Sequence, residues 1–162
     1  MRHTITITTA LAAIAALALI PGAGATAKGE RATYLTCTFE LSTLGPPQGV
    51  PPTANSFGLV ACPRPLGEGV HYGSATATPT SPGHGTTVVS FKKYFDQGTI
   101  RGTVAGTFAA TSPLDITYEG TVTMTGGTGR FKHVKGGGRL RCTSSDGGPH
   151  KSCTVTLKLT GI

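Results

Sequence analysis

The chain has 162 residues, with 14 Lys and Arg against 7 Asp and Glu; Gly is abundant at 24 and Trp is absent. That length fits one domain with a real core and leaves no room for several. Sparse charge with many glycines and threonines suits an all-β exported protein with tight turns.

Met1, Arg2 and His3 form a short basic start, followed by the unbroken apolar run Ala10 to Ile20. Pro21 and Gly22 end the run, and Ala25-Thr26-Ala27 fits a small-x-small cleavage site. This pattern predicts a secretory leader over 1–27, cut after Ala27. The run is shorter than the roughly 20 residues needed to cross a bilayer as a helix, and no second such stretch follows, so no membrane span is expected. The domain then occupies 28–162. Without Arg2 it carries 13 Lys and Arg against 7 Asp and Glu, a net charge of +6.

Taken in chain order, Ala32 to Ser42 alternates, with Leu35, Cys37, Phe39 and Leu41 on one face and Thr36, Thr38 and Glu40 on the other. Such a pattern predicts a half-buried strand. Gly45 to Ser56 holds four prolines and reads as a loop that a protein partner could contact. Phe57 to Cys62 is a short apolar run, Pro63 to Gly69 a turn, and Val70 to Thr78 a weaker strand. Thr80 to Gly85 turns the chain again.

From Thr86 the pattern is regular. Strands are expected over Thr86 to Phe95, Thr99 to Ala110, Leu114 to Thr125, Gly136 to Cys142 and Cys153 to Thr160. Asp96-Gln97-Gly98 and Ser112-Pro113 separate the first three. Gly126 to Lys135 is the one connection expected to hold a helical turn. Eight strands joined mainly by short turns favour an all-β, antiparallel up-and-down barrel, which leaves no open edge; a β-sandwich is the alternative. Gly102, Gly106, Gly120 and Gly138 fall on the inner face, where a small barrel bends sharply.

Four cysteines in an exported chain imply two disulfides. Cys142 ends one strand and Cys153 begins the next, so an antiparallel hairpin sets them face to face. Cys37 and Cys62 remain as the second pair. There is no CxxC and no His at ligand spacing from a Cys, and no GxSxG, HExxH, phosphate-loop or dinucleotide signature. No metal and no cofactor are therefore expected.

The inner face collects Ile100, Val104 and Phe108 from one strand and Ile116, Tyr118, Val122 and Met124 from another. Phe108, Tyr118 and Met124 are candidates for lining a pocket. Tyr118 is the one polar group expected on these inward faces, because alternation sends Arg101, Glu119 and Lys158 outward. His71 and Tyr72 are adjacent, so only one can face in. Either is a pocket candidate, His71 as a proton-transfer group and Tyr72 as a hydroxyl. Glu40 and Glu68 could edge a mouth, while Asp96, Asp115 and Asp146 read as turn residues.

Arg130, Lys132, Lys135, Arg139 and Arg141 form a basic cluster. It could attract an anionic cell-surface polymer or simply keep the protein soluble. Nucleic acid is not expected, since Phe131 is the only aromatic interleaved there.

The string Thr125-Gly126-Gly127-Thr128-Gly129-Arg130-Phe131, followed by Gly136, Gly138 and Leu140, resembles the allene oxide cyclase-like barrel group, which includes the dirigent proteins. The likeness covers Thr86 to Leu140 well and the first half poorly. It implies a barrel that encloses a hydrophobic small molecule, with cyclase- or isomerase-like activity. The string itself reads locally as a glycine turn whose Phe131 closes the barrel end.

Overall fold

Period-2 alternation places every second side chain on one face, so a run of such strands must either stack against another layer or curl around its own apolar face. This chain curls. The computed structural model describes residues 31–44 and 53–162. The expected leader, and residues 45–52 of the expected loop, lie outside the described residues.

Eight strands pair in sequence order and close into an antiparallel barrel. They are β1 (Thr33–Leu44), β2 (Thr53–Ala61), β3 (Glu68–Ser81), β4 (His84–Phe95), β5 (Gly98–Ala110), β6 (Ile116–Gly127), β7 (Lys135–Ser144) and β8 (His150–Thr160). β1 pairs with β8 as well as with β2, and that pairing removes both edges. The sandwich alternative is thereby excluded. Every strand runs one to four residues beyond at least one expected end, because ladder bonds continue where side-chain alternation fades; the starts of β1 and β6 and the end of β2 fall one or two residues inside. Thr53 to Ser56, expected as loop, belongs to β2, held by β3 through Ser56 opposite Gly73.

Both expected disulfides form, Cys37 with Cys62 and Cys142 with Cys153. The second joins residues directly opposite in the β7–β8 ladder.

The two barrel ends differ. One gathers the β2–β3, β4–β5 and β6–β7 connections. There the expected helical turn is a 3-10 turn over Gly129–Phe131, and Phe131 is wholly buried. Its ring meets Phe95 edge-on at 5.8 Å, with Leu66, Ile100, Val134 and Leu159 buried in the same core. A register shift between Arg101 and Gly102 leaves Thr125 as the extra residue on β6. Gly126 follows at φ +140 and Gly129 at φ +59, backbone that side chains resist. Arg130 ties the turn down, donating to Gln97 through Nη1 and through its backbone N, each at 2.9 Å. The glycine string is thus a bulge, a turn and a stopper. The opposite end gathers the β3–β4, β5–β6 and β7–β8 connections.

Inside, crowding decides the small residues. Gly106 and Gly120 pair across β5 and β6 on the inner face, and a Cβ on Gly120 would lie 2.8 Å from Val104 Cγ1. The sheet turns there because neither residue has a side chain.

Candidate functional site

The barrel is hollow. Its cavity measures about 430 Å3 and is walled mainly by apolar side chains, among them Phe39, Val89, Phe91, Val104, Met124 and Leu157. That volume lies within the range of small-molecule sites. Phe95 and Ile100 line it toward the Phe131 end, and Gly147, Gly148 and Pro149 line it toward the other.

A string of three buried polar side chains is set into the apolar wall. Alternation on β4 turns Phe91, Lys93 and Phe95 inward and leaves Lys92 and Tyr94 outside. On β3 the same rule turns His71 inward. Lys93 and His71 are directly opposite in the ladder, so their heads meet: Lys93 Nζ is 3.0 Å from His71 Nδ1. His71 Nε2 is in turn 3.0 Å from Ser56 Oγ on β2. All three are buried, at 6–7% exposure, and all three line the cavity.

Hydrogen-bond chemistry fixes the direction of this string when Lys93 is charged. An ammonium can only donate, so His71 Nδ1 accepts. The imidazole proton then sits on Nε2 and donates to Ser56, leaving the Ser56 hydroxyl proton free. Gly73 makes the contact possible, for a Cβ there would lie 2.9 Å from both His71 Nε2 and Ser56 Oγ.

Burial governs both titrating groups. Lys93 has no carboxylate partner among the described residues, and desolvation lowers it from 10.5 to about 7. Its Nζ lies 3.7 Å from the Phe39 ring centre and 5.1 Å from that of Phe91, so aromatic faces replace a counter-ion. His71 is lowered to about 3, by burial first and by the Lys93 charge second. It is a neutral imidazole across the physiological range.

A second polar station lies nearer the β7–β8 connection. Tyr118 and Lys151 both line the cavity, with Lys151 Nζ 5.2 Å from the Tyr118 ring centre. Lys151 donates to Thr43 Oγ1 at 2.6 Å and to the Gly148 carbonyl. Burial raises the Tyr118 phenol, with Asp146 adding to the rise, and lowers the Lys151 ammonium against a smaller opposing pull from Asp146. Asp146 itself is a turn residue, as expected. It accepts from Ser144 at 2.8 Å and pairs with His150 at 2.5 Å, and these bonds hold its carboxyl well below the usual range.

His71, Tyr118 and Met124 therefore line the cavity. Phe108 faces inward against Tyr118, ring centres 6.3 Å apart, but outside the cavity wall. Tyr72 is a correction: it is 53% exposed on the outer face. Only one of two adjacent residues can face in, and His71 takes that place because both ring nitrogens find partners there. Tyr72 joins Phe57, Leu59, Val70 and Tyr94 on an outer apolar strip of β2, β3 and β4. Arg101, Glu119 and Lys158 point outward as expected, Glu119 lying 3.6 Å from Arg141. Glu40 also faces out and accepts from Ser152 at 2.8 Å.

The interior also holds a residue that the sequence reading missed. On β4, outside the strands on which Tyr118 was the one polar group expected, Lys93 supplies a buried amine. Sequence reading passes over Lys93 because lysines belong on surfaces by composition. The signal was its parity, shared with Phe91 and Phe95.

The fold and site together define a hollow antiparallel barrel with a basic string set into an apolar cavity. No family model and no curated protein matches the sequence. Among solved structures the chain is similar to a pyocyanin demethylase at 17% identity, over 78% of this chain and 99% of that one, with a TM-score of 0.43.

Proposed function

We propose that this protein is a secreted barrel that takes a hydrophobic small molecule into its interior and acts on it in the manner of an isomerase or cyclase. The observation that carries the reading is the cavity of about 430 Å3, apolar apart from a few convergent polar groups. Ser56, His71 and Lys93 give a bound molecule a proton donor and acceptor in a water-poor site, where such groups act strongly. The glycine string's resemblance to allene oxide cyclase-like and dirigent proteins points the same way. Two disulfides and the leader pattern support export.

Native mass spectrometry of the mature protein with 1-decanol tests the binding step. One bound molecule per chain is expected, lost in Ala75→Trp, whose side chain would fill the cavity that Ala75 lines. Equal retention by both proteins would remove the interior as the site.

A non-catalytic surface role is the second reading. Arg130, Lys132, Lys135, Arg139 and Arg141 are all exposed, four of them without an acidic partner among the described residues. They suit an anionic cell-surface polymer. Salt-sensitive retention on such a polymer, weakened by Arg139→Ala with Arg141→Ala, is its signature.

A further inference from the structure

Lys93 has no use in a barrel that merely holds an apolar guest. A buried ammonium without a counter-ion is costly, and replacing it with a hydrocarbon side chain would relieve that cost. Among the described residues no acid pairs with it: the inward positions beside it are Phe39, Phe91, Phe95 and His71. Lys93 also lines the cavity itself. The site thus presents an amine in apolar surroundings, on a residue of the cavity wall and backed by an imidazole nitrogen at 3.0 Å. Those are the conditions under which lysine acts as a nucleophile toward carbonyl carbon.

We propose that Lys93 forms a reversible imine with an apolar aldehyde or ketone held in the barrel. The inference rests on the apolar-binding reading above and narrows its ligand to a carbonyl compound. The uncharged Nζ attacks the carbonyl carbon, and a C–N bond forms as the carbonyl π bond breaks. His71 Nδ1 takes one proton from the nitrogen and passes it to the alkoxide oxygen, which gives the carbinolamine. The nitrogen's second proton reaches the hydroxyl by the same route, and the C–O bond breaks to release water as the nitrogen lone pair forms the C=N bond. Carbonyl and amine give imine and water, with no oxidant or reductant. Hydrolysis reverses each step, and Ser56, bonded to the far side of the ring, keeps the imidazole in the orientation both directions need.

The polarity of the string supports this over simple anion capture. His71 is neutral and Lys93 is lowered to about 7, so an uncharged amine is available near neutral pH. An apolar carbonyl compound also enters this cavity without bringing a charge that must be desolvated.

The test is reductive trapping of the folded mature protein, disulfides intact, with decanal and cyanoborohydride near pH 7, where burial favours the uncharged Lys93 amine over that of an exposed lysine. Peptide mapping then places the decyl group in the native protein, independently of how any variant folds. Modification of Lys93 about tenfold faster than of the exposed Lys92, suppressed by excess 1-decanol and absent in Lys93→Arg, is expected. Labelling of Lys93 no faster than Lys92 overturns the inference. If 1-decanol binds and Lys93 is not trapped, imine formation fails and the binding reading stands. If 1-decanol does not bind either, both fall.

Discussion

Lys93 Nζ and His71 Nδ1 lie 3.0 Å apart inside a barrel whose wall is otherwise largely apolar. The pair exists because β3 and β4 put these two residues opposite each other and both strands turn that parity inward. A charged Lys93 and a protonated His71 cannot coexist comfortably there, which ties the stability of the fold to pH.

The sign follows from the direction of both shifts. Lys93 falls from 10.5 to about 7 on folding and His71 from 6.5 to about 3, so the unfolded chain binds more protons in both windows. These groups make stability rise with pH from about 3 to 6.5 through His71 and from about 7 to 10.5 through Lys93. The slope in each window is up to about 1.4 kcal/mol per pH unit. Urea melts at pH 7 and pH 9 should show the wild-type protein gaining on Lys93→Met, which lacks the upper window. Parallel curves for the two proteins would mean that Lys93 is not buried as a depressed amine.

Gly73→Ala should disturb the site more than the fold. The new methyl would sit 2.9 Å from His71 Nε2 and from Ser56 Oγ, so the two must part. A loss of about 1–3 kcal/mol is expected from overpacking. The imidazole 15N shifts of His71, read by NMR, should report the broken Ser56 bond in a protein that still folds.

Phe131→Ala should cost about 3–5 kcal/mol, because it empties a wholly buried site and removes the edge-on contact with Phe95. Chemical denaturation measures it. Arg130→Ala, which loses only the exposed bond to Gln97, should cost far less.

The disulfides should rank by loop length. Cys37–Cys62 spans 25 residues and Cys142–Cys153 spans 11. Each contributes about 2–4 kcal/mol, and loop-closure entropy makes the longer one stronger by about 0.7 kcal/mol. Paired Cys→Ser variants compared by denaturation test the order.

The sequence made the barrel legible through alternation, and the second half more so than the first. In β5, β6 and β8 one face is apolar and the other is threonine or charge, so parity and facing coincide. In β3 both faces carry small residues, Gly73, Ser74, Ala75 and Thr76, so nothing local decides between His71 and Tyr72. The decision comes from across the ladder, where Ser56 and Lys93 offer partners to one of them. In β2 the apolar Phe57 and Leu59 face outward while Ser56 is buried, the reverse of what hydrophobicity alone suggests. Lys93 was readable from Phe91 and Phe95 on either side. Its chemistry was not, because the lack of an acidic partner among the described residues is a property of neighbouring strands.

Titration of the mature protein with N-phenyl-1-naphthylamine, a neutral apolar fluorophore, tests the hollow interior most directly. The cavity predicts saturable binding of one dye per chain, lost in Ala75→Trp with the barrel's circular dichroism intact. Unsaturable binding, or the same binding in Ala75→Trp, would contradict an interior ligand site.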